Sequence, residues 1–165
     1  METVYIETTI VSYLVADPSR DLAAAAKQQT TRDWWRLQRL QFSCVTSEEA
    51  MKEARRGDPN MAARRIDALR DLRRLNPTPL ASDLADLIVQ SGILPPRAVA
   101  DAVHLALATA HDVDYLLTWN CRHLANAQIL RRVARLVESR VKRLPMVCTP
   151  DELMGDFANP GEPLP

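Results

Sequence analysis

At 165 residues the chain is the size of one ordinary domain, long enough to bury a core unaided. Its 21 lysines and arginines balance 21 aspartates and glutamates, which excludes wholesale wrapping of a polyanion while leaving local basic patches open. Three cysteines, Cys44, Cys121 and Cys148, make no CxxC and no even framework, and neither a leader-like segment nor a membrane-length apolar run is found, so a cytoplasmic protein without a membrane partner is expected.

Residues 3–6, TVYI, are short, β-branched and aromatic, as in a buried strand. Ile10, Tyr13 and Leu14 then recur at helical spacing up to Asp17-Pro18, and Ser19 is the expected cap of a second helix running through AAAA to Trp34, Trp35 and Leu37. FSCV, 42–45, predicts another strand. Thr46 with Glu49 three residues on is a capping-box signature for a helix closed by Gly57. Asp58 before Pro59 opens the next helix, whose face of Ala62, Ile66, Leu69 and Leu72 carries it through Arg74, and NPTP follows as a turn or very short strand.

Leu80, Leu84, Leu87 and Ile88 stripe a helix ended by Gly92. Pro95-Pro96 introduces RAVADAVHLALATAHD, apolar nearly all round and so a buried helix. DYLLT, 114–118, is a strand, 126–141 a helix bearing Ile129, Val133, Leu136 and Val137, and PMVCT a last strand before a helical turn at 151–154. The alternation predicts the α/β class, a parallel sheet with helices on both faces, in one domain over 1–155 with a frayed proline- and glycine-rich tail over 156–165.

Sites in open α/β sheets form beyond the carboxyl ends of the strands. Glu7 closes the first strand and Asn120 lies just past DYLLT, which makes them neighbours across such a crevice. Asp101 interrupts an apolar helix, where a carboxylate carries a desolvation cost, and Glu53 sits near its helix's glycine stop. Each has an ordinary explanation: Glu7 as a helix cap, Asp101 at the positive end of its helix, Glu53 as surface charge. Gathered in one place, the three carboxylates repel one another unless a cation neutralises them. A hard divalent ion, Mg²⁺ or Mn²⁺, suits oxygen ligands and keeps exchangeable waters, the requirements of phosphodiester hydrolysis.

Other features have weaker readings. His104 reads as a structural histidine with a hydrogen bond near the site, and Cys121 with His123 lacks the second pair that zinc would need. Two arginine-rich stretches, 64–74 and 131–143, are solvated helix faces or contacts to RNA phosphates. Trp34-Trp35 marks either an interface, with a second copy in a homodimer or with another protein, or packing on a neighbouring helix.

VYIETTIVSYL, the helix bearing Glu53 ahead of RRGD, ADAVHLALATA and DYLLTWNCRHLANA resemble the successive blocks of PIN domains, most closely the VapC-like type II toxin ribonuclease subgroup, over about residues 3–150. The resemblance implies a three-layer α/β/α sandwich with a mainly parallel sheet, endonucleolytic cleavage of single-stranded or loop RNA with Mg²⁺ or Mn²⁺, and a partner antitoxin. It places the metal-binding and catalytic acidic positions on Glu7, Glu53, Asp101 and Asn120, hydroxyls on Thr8 and Thr118, and His104 beside the site. Two departures stand out: Glu7 is one methylene longer than the family's usual Asp, and Asn120 is uncharged where Asp is frequent. The uncharged position leaves a catalytically weakened RNA-binding or regulatory module as one alternative, and a structure-specific DNA nuclease is the other, since no motif marks a reader of the 2′-OH.

Overall fold

The computed structural model describes residues 1–141 and 143–155, so the tail expected over 156–165 lies outside the described residues. Five strands form among the described residues, β1 (Thr3–Ile6), β2 (Ser43–Ser47), β3 (Arg73–Leu75), β4 (Tyr115–Leu117) and β5 (Met146–Cys148). They make one sheet in the order β3-β2-β1-β4-β5, every pairing parallel. β1 is therefore central, with Tyr5 opposite Val45 on one side and Leu116 on the other. The chain moves outward from β1 to β3, then returns to place β4 on the far side of β1. The order thus reverses between β1 and β4, and the loops leaving those two strands diverge at this point.

Side chains alternate along β1 and divide the core. Tyr5 joins Val45, Leu84, Ile88, Leu105, Leu116 and Val133 on one face; Val4 and Ile6 join Ile10, Trp34, Met51, Leu69 and Leu117 on the other. The first face is covered by α5 (Pro79–Gln90), α6 (Val99–Ala110) and α7 (Ala127–Val137). The second is covered by α1 (Thr8–Val15), α2 (Leu22–Leu37), α3 (Glu48–Ala54) and α4 (Pro59–Leu69). This is the three-layer α/β/α arrangement expected of strands buried on both faces. No helix among the described residues is long and apolar enough to cross a membrane.

The structure moves several boundaries. The cap of α2 is Asp21, which accepts from the Ala24 amide, and Ser19 instead supports Asp21. The cap of α3 is Ser47: Thr46 points across the sheet and donates to the Ile6 carbonyl, leaving Ser47 Oγ to accept from Ala50 N. The helix over 59–74 stops at Leu69, and Arg73–Leu75 pairs with β2, because an edge strand is gained there at the expense of one helical turn. Trp34 is fully buried, stacks on Phe42 at 6.0 Å and donates Nε1–H to the Leu153 carbonyl at 3.1 Å. Trp35 is half-buried beneath Arg39, so this pair packs the core and gives no exposed aromatic patch.

Candidate metal centre

Glu7 ends β1 and at the same time caps α1. Its backbone is extended (φ −84°, ψ 157°), and its Oε2 accepts from the Thr9 amide at 3.1 Å, from Thr9 Oγ1, and from Thr118 Oγ1 at 2.7 Å. The ordinary capping function and the site therefore share one residue. Rigid backbone on both sides holds this carboxylate, which is only 4% exposed. Burial pushes its pKa above the usual carboxylate range, and the His104 charge and the donors on Thr9 and Thr118 only partly offset it.

Glu53 approaches from α3. Its Oε2 accepts from Thr8 Oγ1 at 2.7 Å and lies 2.8 Å from His104 Nε2. Burial is the largest single effect on Glu53, but the bond and charge of His104, with Thr8 and Arg56, outweigh it and hold the pKa below the usual value. His104, fully buried on α6, has the converse balance. Burial alone would favour the neutral ring, yet Glu53, Glu7 and Asp101 together raise its pKa. Its other nitrogen, Nδ1, is 2.7 Å from the Tyr5 hydroxyl, which in turn meets Ser47 Oγ. A continuous chain thus runs Ser47–Tyr5–His104–Glu53–Thr8, buried as far as His104 and partly buried at Glu53, and ties β1 to the two helices that carry Glu53 and His104.

Glu7, Glu53 and His104 each offer a ligand atom, all within 4.8 Å of one another. Asp101 is held apart from this group. It sits in the first turn of α6, takes Asn120 Nδ2–H on Oδ1 at 2.9 Å, and has His123 Nδ1 2.9 Å from Oδ2. Asn120 Oδ1 also accepts the His123 amide at 3.2 Å, and the Asn120 amide donates to Thr118 Oγ1 at 2.9 Å. Thr118 therefore links the two clusters, bonding Glu7 with its hydrogen and Asn120 with its lone pair.

Of the residues singled out in the sequence, Glu7, Glu53, Thr8, Thr118 and His104 come together around one point, and Asp101 with Asn120 forms an adjacent pair. Sequence reading missed Thr9, Tyr5, Ser47 and the pairing of His123 with Asp101. The doubled threonine after Glu7 was the one local signal for Thr9. The others are joined only by tertiary placement.

The donor set fits a hard divalent cation. Two carboxylates and a neighbouring hydroxyl supply oxygen, whereas the one nitrogen, His104 Nε2, already bonds Glu53. A cation there would also stabilise the ionised form of buried Glu7. Comparison with protein-family models gave no match, and no curated protein matches the chain.

Proposed function

We propose that the chain is a divalent-cation-dependent ribonuclease acting in the cytoplasm on single-stranded or loop RNA, the toxin half of a toxin–antitoxin pair. The observation that carries the reading is the meeting of Glu7 and Glu53, from different elements, at the carboxyl edge of a parallel sheet where the strand order reverses. The motif blocks resembling PIN domains support the same reading.

A bound Mg²⁺ or Mn²⁺ would supply an activated water and neutralise charge on the scissile phosphate. The chain's own contribution is placement. Thr9 and Thr118 fix one oxygen of Glu7, Thr8 and His104 fix one oxygen of Glu53, and the remaining carboxylate oxygens are left to hold the ion. Asp101, oriented by Asn120 and His123, borders the same edge and is assigned to the substrate or its water.

The test measures Mn²⁺ affinity by calorimetry and cleavage of single-stranded RNA and DNA in parallel. Glu7→Gln and Glu53→Gln are expected to lose both affinity and cleavage, by about two orders of magnitude in rate, while Asp101→Asn loses cleavage. Parent-like cleavage by Glu7→Gln would remove the assigned centre. A second reading, an RNA-binding module without cleavage, is favoured by the engagement of both Asp101 oxygens with Asn120 and His123. A folded parent that binds RNA but no cation at millimolar concentration would establish it.

A further inference from the structure

The two arginine-rich stretches look alike in sequence, and the structure separates them. In the first, Arg64 pairs with Asp17, Arg70 with Asp67 and Asp71, Arg74 with Glu48, and Arg65 donates to the carbonyls of Ala54 and Arg56. These four cations are already committed within the molecule, and Arg73 on the edge strand β3 is the member of this stretch without a carboxylate partner among the described residues. In the second, Arg131, Arg132 and Arg135 are exposed on α7, and none pairs with a carboxylate among the described residues.

Their common orientation follows from helical geometry. Val133 and Val137 of α7 are buried against the sheet, which turns 131, 132 and 135 to the opposite side, with 131 and 135 one turn apart. Arg131 and Arg135 also edge a groove of about 320 Å³ with Val137, Val141 and Leu144 along it; Glu138 is the carboxylate on its rim. The N-terminal end of α7 lies at the metal-centre edge, because the loop entering it carries Asn120 and His123. That loop also carries exposed Arg122, likewise without a carboxylate partner among the described residues.

We infer that the outer face of α7, through Arg131, Arg132 and Arg135, is the docking track for the phosphate backbone of single-stranded RNA on its way to the metal centre, and that the internally paired Arg64, Arg65, Arg70 and Arg74 take no part. The inference rests on the ribonuclease reading for the identity of the polyanion. Charge complementarity carries it: in a chain of zero net charge, three guanidinium groups without a carboxylate partner among the described residues stand on one helix, and two of them, Arg131 and Arg135, line a groove with apolar walls, where Arg143 is held by Asp112 and Asp114. An anionic membrane is the less fitting partner, since the apolar side of α7 is already consumed by the core and cannot enter lipid.

The test is fluorescence anisotropy of a labelled single-stranded oligoribonucleotide at several salt concentrations, in EDTA so that nothing is cleaved. The triple variant Arg131→Gln/Arg132→Gln/Arg135→Gln should bind at least about tenfold more weakly, and its log–log salt slope should be shallower by about 2, at roughly 0.7 per lost phosphate contact. The control, Arg64→Gln/Arg70→Gln/Arg74→Gln, should bind within about twofold of the parent. Equal losses in both triples, no loss in the α7 triple, or loss of binding to anionic vesicles with RNA binding retained would each overturn the track. Cation-dependent cleavage of the same oligoribonucleotide is measured separately, with Mn²⁺ in place of EDTA. If the parent lacks it while the binding pattern holds, the ribonuclease reading fails and the track stands.

Discussion

Tyr5 is the residue on which the candidate centre turns most, although it carries no charge at neutral pH. Its hydroxyl lies between Ser47 and His104 under complete burial, so Tyr5→Phe leaves His104 Nδ1 without its partner while keeping the ring in the core. An orphaned buried polar atom costs about 2 kcal/mol, which for a chain of this size lowers Tm by roughly 4–8 °C. Thermal unfolding by circular dichroism measures it, and a change below about 1 °C would mean that the chain from Ser47 to Glu53 is not sealed as described. Glu7 could be read from sequence because a carboxylate at the end of an apolar strand is anomalous on its face. Tyr5 could not: an aromatic residue in a strand is ordinary, and its hydroxyl gains a purpose only when α6 brings His104 over it. Asp101 shows the intermediate case, since its anomaly in an apolar helix was visible but its partners, Asn120 and His123, lie 19 and 22 residues away.

At the scale of elements, the central pair β1 and β4 is clamped at its amino end by Asp114. Its carboxylate accepts from the Thr3 amide at 2.8 Å, from Thr3 Oγ1 at 2.9 Å, and from Arg143 at 2.8 Å. The Arg143 bond, then the two from Thr3, hold the Asp114 pKa down at about 2. Because the folded value is depressed, this stabilisation is complete above the unfolded value of about 3.9 and disappears as pH falls through about 2. Asp114→Asn is expected to cost about 1 kcal/mol at pH 7, a figure discounted for the partial exposure of the pair. The gap from the parent should close toward pH 2, as followed by urea unfolding across pH, and a gap independent of pH would exclude the carboxylate charge as its cause. Elements with a full period were legible: the stripe of α5 and the all-apolar α6 stand where their patterns put them. The strand Arg73–Leu75 was not, because three residues are too few to show a period of two and Leu69 with Leu72 imitates a helical face. Capping shifted by one residue for a related reason, since both Thr46 and Ser47 can cap and only the sheet decides which of them faces inward.

For the molecule as a whole, the sheet order brings buried Glu7 and partly buried Glu53 together, so on the proposed reading the fold and a cation are thermodynamically linked. Burial raises the Glu7 pKa above its unfolded value, so in the metal-free protein the contribution of this one group to stability is full below about pH 4.3 and is lost as pH rises through the raised folded pKa. Glu7→Gln has no such group to ionise, and its metal-free Tm at pH 7 should exceed the parent's by roughly 2–4 °C. Mn²⁺ reverses the ranking. A ligand at a hundred times its Kd stabilises the native state by about 2.7 kcal/mol, which is a rise of roughly 5–10 °C for the parent. Glu7→Gln and Glu53→Gln should show little of that rise, whereas Asp101→Asn should keep most of it, since its carboxylate is engaged by Asn120 and His123 outside the Glu7–Glu53–His104 group. Differential scanning fluorimetry with Mn²⁺ titration at pH 7 separates these cases without reference to cleavage. Loss of the shift in Asp101→Asn would move the ion toward Asp101, and a full shift in Glu7→Gln would dissociate the buried carboxylate at the end of β1 from the metal altogether.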